Sequence, residues 1–335
     1  MTIWRITAIF VAVERIDYPL TTLYADLVER LGADGALGVP SCGSVVHKQI
    51  KGQEYWYHQI RFAGQRVQLY LGNRATPVAD WRAHLADRER LCAMLLAGGM
   101  AVPERPMGSI LEVLDAIGVF RAGGVLIGSH AFAIHGNMLG IRWERRLTHT
   151  LDVDIGREAR VRVASQAKVR EQLLKLGFRD IPALDPRHPP VSFMLKDRPV
   201  KVDFLTPLKG KAKGEPVALA GMGVHADALR FLDYVIADTV QGALLTRFGV
   251  LVTVPQPARF ALHKLIVATR RSATEESKRQ KDVWQASSLI EVLLEERPHD
   301  LRAAWKALPW QKQAREGMRW LTGEQREGLL AEVGG

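Results

Sequence analysis

The sequence predicts an α+β (mixed α/β) fold with a small N-terminal β-meander plus helix, a central mixed sheet flanked by helices, and a C-terminal helical region. Short alternating runs separated by glycine turns indicate the meander, and strand-like and helix-like segments alternate through the middle of the chain. After Pro255 and Pro257 the apolar residues recur at helical spacing. From these changes of pattern and the length of 335 residues we expect three domains, at residues 1–106, 107–255 and 256–335.

The first region predicts three short strands and one helix. Residues 45–50, 55–62 and 66–72 are rich in β-branched and aromatic residues and are joined by turns that contain glycine. Residues 80–97 carry apolar side chains at near-helical spacing and end at two consecutive glycines.

The second and third regions predict the remaining elements. In the second region the predicted strands are 125–127, 152–155, 191–195 and 200–205, the last two as a hairpin, and the predicted helices are 109–117, 129–139 and 158–176. In the third region the predicted helices are 259–271 and 282–296, with a polar connection at 272–278 and further helix to about residue 330.

The composition narrows the class of protein. The chain has 46 Lys and Arg against 36 Asp and Glu, which gives a formal net charge of +10. This charge is equally consistent with binding to anionic partners and with a soluble protein that simply has a high pI. Cys42 and Cys92 are not spaced as metal ligands, so we expect neither a zinc site nor a disulfide framework. The absence of a long apolar run and of a secretion signal predicts a cytoplasmic protein with no membrane partner.

The residues that indicate chemistry lie in the second region. Gly128-Ser129 follows a short strand and opens a helix, so backbone N–H groups at the helix N-terminus could bind a phosphate oxygen. Asp152 and Asp154 share one face of a strand, and Asp203 lies on the predicted strand 200–205. Three carboxylates on one sheet surface would suit a hard cation such as Mg²⁺, which is the arrangement that two-metal phosphoryl or nucleotidyl transfer needs.

An Asp-x-Asp pair is also found in haloacid-type phosphatases and many glycosyltransferases. In those enzymes we expect an apolar strand to lead directly into the pair. Here residues 145–150 are polar and basic, which disfavours both alternatives.

The combined motifs resemble the nucleotidyltransferase superfamily that includes DNA polymerase β, and most closely its bacterial branch of abortive-infection toxin-type and related nucleotidyltransferases. The matching stretches are residues 127–129, 152–155 and 202–204. The branch has an Arg-x-Thr-x-Asp lead-in, which Arg146 and Thr150 resemble before Asp152.

This resemblance implies an enzyme that moves a nucleoside monophosphate from a nucleoside triphosphate to an acceptor hydroxyl, with Mg²⁺ (or Mn²⁺) as cofactor. Asp152, Asp154 and Asp203 would be the catalytic and metal-binding residues, and Gly128 and Ser129 would hold the triphosphate. The same implied triphosphate contacts include Arg146, Thr150 and Lys264, the last on a helix of the third region.

The acceptor is left open between RNA, tRNA above all, a protein side chain and a small molecule. In the meander, candidate nucleic-acid contacts are Lys48, Lys51, Arg61 and Arg66 for phosphates and Trp56 for stacking on a base.

The tyrosines of the meander have two possible roles. Tyr55 and Tyr57 could also stack on bases, but we favour their burial on one face of the small sheet with Trp56 on the other.

Two other functions stay open. One is a catalytically silent nucleotidyltransferase scaffold that acts as a nucleic-acid-binding module, and the other is a component of a toxin–antitoxin pair.

Overall fold

The computed structural model describes residues 14–72, 78–104, 106–144, 148–159, 167–183, 185–196, 198–211 and 214–334. These residues divide into two compact units. The sheet unit comprises Ile16–Arg142 and His149–Pro255, and the helical unit comprises the described residues from Gln256 onward with residues 14–15, 143–144 and 148.

The strands of the described residues are short to medium in length. They are β1 Glu14–Arg15, β2 Ser44–Ile50, β3 Gln53–Phe62, β4 Gln65–Gly72, β5 Val125–Ile127, β6 Ile141–Arg142, β7 Asp152–Gly156, β8 Phe178–Ile181, β9 Ser192–Leu195, β10 Lys201–Pro207, β11 Val217–Leu219, β12 Val224–Leu229, β13 Thr239–Leu244 and β14 Val250–Pro255.

The helices lie in both units. They are α1 Tyr18–Ala36, α2 Val78–Ala97, α3 Met107–Ala116, α4 Gly128–Leu139, α5 Val169–Lys175, α6 Leu232–Ile236, α7 Pro257–Arg270, α8 Glu276–Glu296, α9 Pro298–Lys306, α10 Gln311–Gly317 and α11 Gly323–Val333. None of the helices within the described ranges is both long and apolar enough to cross a membrane.

The predicted fold class is confirmed, because the sheet unit contains a mixed sheet together with helices. In the described part of the chain this sheet has the strand order β11-β12-β10-β7-β5, with β9 also paired to β10 and β8 paired to β9. The β7–β10 and β10–β12 pairs are parallel, whereas β5–β7, β9–β10, β8–β9 and β11–β12 are antiparallel.

The central strands have one buried and one accessible face. Val153 and Ile155 of β7 and Val202 and Phe204 of β10 are fully buried, and the residues between them are at least partly exposed. Side chains alternate across a strand, so the apolar set anchors both strands in the core and turns the intervening polar set outward. The position of the acids therefore follows from the burial of their neighbours.

The N-terminal meander is also confirmed, with β3 pairing antiparallel to β2 and to β4. Its buried residues include Ile60, Phe62 and Val67, and Phe62 stacks on Phe178 of β8 with ring centroids 5.9 Å apart. The face of β3 that packs inward is therefore the one that carries Ile60 and Phe62.

The helical unit is built on α7 and α8. Leu265, Ile266, Leu289 and Leu293 are fully buried between its helices. A β-carbon on Gly317 would lie 2.6 Å from the carbonyl oxygen of Leu265, so only glycine lets α10 approach α7 this closely.

Two predicted boundaries change. Of the predicted helix 158–176, the described part is helical over Val169–Lys175 only, and residues 160–166 lie outside the described residues. The polar connection predicted at 272–278 is shorter than expected, because a capping box between Ser272 and Glu275 starts a 3-10 turn and α8 begins at Glu276.

The predicted three-domain division stays a prediction. Apart from residues 14–15, 143–144 and 148, the described residues of the first two predicted regions lie in one compact unit, and that unit ends at Pro255.

Candidate active site

Gly128 makes the turn between β5 and α4 and lies against the first predicted acid pair. Its φ is +70°, a left-handed conformation that favours glycine. Ile127 is opposite Asp154 in the antiparallel β5–β7 register, and a β-carbon on Gly128 would lie 2.5 Å from Asp154 Oδ2. Glycine is therefore required here both by the backbone and by the carboxylate beside it.

The helix that follows supplies the polar end of this corner. Gly128 is the first residue of α4, and Ile127 at the N-cap is extended and provides no side-chain cap. The N–H groups of the first helical turn have no partner within their own helix, and the helix dipole places partial positive charge there. Ser129 lies in this first turn, so the corner combines donors and positive potential next to Asp154.

Asp154 and Asp203 lie directly opposite each other on neighbouring parallel strands. The β7–β10 register pairs Asp152 with Lys201 and Asp154 with Asp203. Adjacent strands are about 4.8 Å apart, and in-register side chains project from the same side of the sheet. Asp152 is exposed, while Asp154 and Asp203 are partly buried. The structure thus brings all three predicted acids to one sheet face.

Thr150 lies just before β7. Its hydroxyl Oγ1 accepts a hydrogen bond from the backbone N–H of Asp152 at 3.2 Å. Such a local bond fixes the chain at the start of the strand. The observed role of Thr150 is therefore to orient the strand that carries two of the acids.

Asp203 has two partners that the sequence analysis did not identify. Its Oδ1 accepts a hydrogen bond from the hydroxyl of Ser192 on β9 and lies 2.9 Å from Lys201 Nζ. Burial lowers the pKa of Lys201, but the hydrogen bond to Asp203 and the charges of Asp203, Asp152 and Asp154 raise it more, so the net pKa is above its usual value. Lys201 therefore supplies positive charge to the acid cluster.

A fourth carboxylate, Asp227 on β12, lies near the cluster. It is in register with Leu205, two residues beyond Asp203 on the same strand, and so projects from the same face. Burial, and after it the negative charge of Asp203, raises the pKa of Asp227, while Lys201 lowers it. The site therefore holds more negative charge than the three predicted acids alone.

The donor set fits a divalent cation in its chemistry, although the side chains are not gathered around one point. Oxygen ligands from several carboxylates are what Mg²⁺ and Mn²⁺ prefer. In the ranges that the structure describes, no group of three or more His, Cys, Asp or Glu side chains is arranged to hold a metal ion. Asp203 Oδ1 instead contacts the Ser192 hydroxyl and Lys201 Nζ.

Two of the predicted triphosphate contacts, Arg146 and Lys264, stay predictions. Arg146 is outside the described residues. Lys264 is in the helical unit, where its Nζ is 2.5 Å from Asp282 Oδ1 and Arg271 Nε is 3.0 Å from Asp282 Oδ2. Burial would raise the pKa of Asp282, but these two cations outweigh it and hold the pKa below its usual value. The contact observed for Lys264 is thus a nearly buried ion pair.

The candidate nucleic-acid contacts divide between the two faces of the meander. Lys48, Arg61 and Arg66 project from one face, and Lys51 is in the β2–β3 turn with a φ of +51°. Trp56 projects from the opposite face, where its ring lies 4.7 Å from that of His47.

The predicted burial of Tyr55 and Tyr57 in a core is wrong. Both are only partly buried, and they share the face of Lys48, while the buried Ile60 and Phe62 lie on the other face. Because side chains alternate along a strand, Trp56 lies on the same face as the apolar residues Ile60 and Phe62, and this pattern in the sequence indicates the buried face correctly.

The residues of the acid site that were not predicted from the sequence differ in how far a local sequence pattern indicates them. Lys201 precedes Asp203 by two residues on a predicted strand, so alternation alone places both on one face. Ser192 and Asp227 come from strands whose register with β10 depends on long-range pairing, which no local pattern encodes.

A mixed sheet with a glycine corner, a helix N-terminus and clustered carboxylates defines a protein equipped for phosphate chemistry. Residues 105–311 match the model of a protein family described as Nucleotidyltransferase. This match covers more than half of the chain, and the protein therefore belongs to that nucleotidyltransferase family. It is a transferase enzyme, and its family implies a nucleoside triphosphate as substrate. No curated protein and no solved structure is detectably similar to the chain.

Proposed function

We propose that this protein is a Mg²⁺-dependent nucleotidyltransferase, of the DNA polymerase β superfamily and its abortive-infection toxin-type branch, that transfers a nucleoside monophosphate to an acceptor hydroxyl. Mn²⁺ is the alternative ion. The observation that supports this best is the register of Asp154 with Asp203 beside the Gly128 corner. A phosphate-binding helix end and paired acids are the two parts that such a transfer requires.

The proposed catalytic and metal-binding residues are the three acids. Asp152 and Asp154 would bind both cations, and Asp203 would complete the coordination of one of them. Bound divalent ions supply charge neutralisation for the triphosphate and a lowered pKa for the acceptor hydroxyl. Asp203, which faces Asp154 across the strand pair, would also accept the proton of that hydroxyl.

The proposed triphosphate contacts are centred on α4. The N–H groups at Gly128 and Ser129 and the Ser129 hydroxyl would hold β- and γ-phosphate oxygens. Thr150 would act by holding the start of β7 in place. Arg146 and Lys264 remain proposed triphosphate contacts, and Lys264 would have to share its charge with Asp282.

The experiment is a transfer assay with purified protein. Each of the four triphosphates, labelled at the α-phosphate, is offered with Mg²⁺ and with total RNA, tRNA or a protein extract as acceptor. The proposal predicts transfer of label that requires the triad, so that Asp154→Asn abolishes it. Absence of transfer to every acceptor, while a polymerase-fold control enzyme labels RNA, would contradict it.

A second candidate function is a catalytically silent scaffold that binds nucleic acid, alone or within a toxin–antitoxin pair. The contact between Lys201 and Asp203 favours it, because an internal ammonium already neutralises one acid. This alternative predicts RNA binding that survives Asp152→Ala and Asp154→Ala, without metal-dependent binding of any triphosphate.

A further inference from the structure

The outward face of the N-terminal meander has a composition that folding alone does not require. It carries three tyrosines and three basic residues on adjacent strands: Lys48, Tyr55, Tyr57, Arg61, Arg66 and Tyr70. We call this set the tyrosine face. No Asp or Glu of the three strands projects from it, since Glu54 lies on the opposite face and is 3.2 Å from His47 Nε2.

The tyrosines form a continuous aromatic surface. Tyr57 is in register with Tyr70, and their ring centroids are 5.6 Å apart, while Tyr55 and Tyr70 are 6.2 Å apart. Tyr70 is 57% exposed, although a large aromatic side chain gains most of its stabilisation from burial. Exposed, adjacent aromatic rings are the surfaces on which unpaired bases stack.

The basic residues lie on the same face as these rings, with Lys48 beside them and Arg61 and Arg66 beyond the Gln59–Gln68 pair. Lys48 Nζ lies 4.8 Å from the centroid of the Tyr57 ring and donates a hydrogen bond to Gln68 Oε1 at 2.5 Å. Arg61 and Arg66 are exposed and directly opposite each other in the β3–β4 register. Like charges at directly opposed positions destabilise a strand pair. Within the described residues no carboxylate pairs with either of these arginines, so an anionic ligand would remove a repulsion that the fold leaves in place.

We infer that the tyrosine face binds single-stranded RNA, with bases stacked on the tyrosines and phosphates paired with Lys48, Arg61 and Arg66. The inference rests on the proposed function in its choice of RNA, because RNA is among the acceptors of the proposed transfer; DNA also ends in a hydroxyl and is therefore the competitor in the test. Stacking requires unpaired bases, and the three cations share the face of the rings, with Lys48 beside them and Arg61 and Arg66 further along the strands, where a backbone that continues past the rings would lie.

The first test is fluorescence anisotropy of a labelled single-stranded RNA, without triphosphate and with EDTA, so that the result is independent of catalysis. We expect Tyr70→Ala to weaken binding about fivefold or more, since loss of one stacking ring has an effect of this order. The conservative Tyr70→Leu keeps the apolar bulk and should also weaken binding. The matched control is Tyr18→Ala, because Tyr18 is 82% exposed at the start of α1.

The second test is the salt dependence of the same binding. Removing two phosphate contacts with Arg61→Gln and Arg66→Gln should reduce the slope of log K against log salt by about 1.4, at about 0.7 for each contact on a single strand. The control is Arg90→Gln, which removes a charge from an arginine that is 77% exposed on α2.

Each outcome of the two tests either supports or overturns the inference. Weaker binding in the tyrosine-face variants only, with unchanged thermal unfolding, supports the inference even if the transfer assay fails. No binding by wild-type protein, or equal losses in Tyr18→Ala and Tyr70→Ala, would overturn it. Equal affinity for DNA of the same sequence would overturn the assignment to RNA, and tighter binding of duplex RNA would overturn stacking as the mode of recognition.

Discussion

Substitution of Gly128 by alanine tests the arrangement of the acid site most locally. The backbone there has a φ of +70°, which costs a non-glycine residue about 1–2 kcal/mol. The new β-carbon would lie 2.5 Å from Asp154 Oδ2, whereas ordinary contact begins at 3.4 Å, so the carboxylate must move by about 0.9 Å. A displacement of about 1 Å in a catalytic group can lower a rate by about a hundredfold.

We therefore expect Gly128→Ala to lose about 1–2 kcal/mol of unfolding free energy in urea and about a hundredfold in nucleotidyl transfer. The matched control is Gly214→Ala. Gly214 has the same φ of +70°, and no atom of the described residues lies within 4 Å of its added β-carbon, so it should show the stability loss alone. Normal transfer by Gly128→Ala, or equal losses of activity in both variants, would refute the reasoning.

Three further predictions concern charged or ionisable side chains of the sheet unit. Lys201→Met removes the ammonium from Asp203 and should tighten the binding of Mg²⁺ alone, measured by calorimetry, by about fivefold. The effect is modest because Lys201 is 36% exposed, and weaker or unchanged binding would contradict the prediction. Arg88→Ala should cost about 3–5 kcal/mol in urea unfolding, since Arg88 is 2% exposed and its loss takes from buried Asp34 one of two ion-pair partners, His84 being the other, and from the carbonyls of Pro40 and Phe248 their donor. Arg90→Ala should stay within about 0.5 kcal/mol, and similar losses in both variants would contradict this prediction. Burial lowers the pKa of His135 from 6.5 to about 4, so the unfolded chain takes up the proton at a higher pH than the folded protein does. About 3 kcal/mol of unfolding free energy is therefore lost as the pH falls from about 6.5 to about 4. In His135→Gln this part of the pH dependence should disappear, and an unchanged slope would count against the prediction.

Local sequence pattern was sufficient to predict most elements that stand on their own periodicity. The three meander strands and the turn from strand to helix at Gly128 are present, and the helices predicted at 80–97 and 259–271 are observed at Val78–Ala97 and Pro257–Arg270. In these segments alternation, helical spacing and glycine positions agree with the tertiary structure.

What the sequence did not reveal depends on pairing between distant strands. The hairpin of β9 and β10 and the meeting of the three acids on one sheet surface were predicted, but the parallel register of β10 with β7 that sets Asp154 opposite Asp203 was not. A shift of one residue in this register would have turned Asp203 to the buried face. The strands β11–β14 were not predicted either, because their short runs carry no distinctive period.

In the meander, too, the sequence alone did not predict which face of the sheet is buried. Alternation separated Tyr55 and Tyr57 from Trp56, but the choice of buried face depended on Ile60, Phe62 and the ring of Phe178 from a different strand. Burial is decided by what packs against a strand, and that partner lies more than a hundred residues away in the chain.

The central claim is that a nucleoside triphosphate binds at the three acids with a divalent ion. The most direct measurement is calorimetry of each triphosphate with Mg²⁺, titrated into wild-type protein and into Asp152→Asn/Asp154→Asn, which keeps the side-chain shape beside Gly128. The account predicts binding to wild-type protein that needs Mg²⁺ and is lost in the double variant. Binding of equal strength to both proteins, or none to folded wild-type protein, would contradict it.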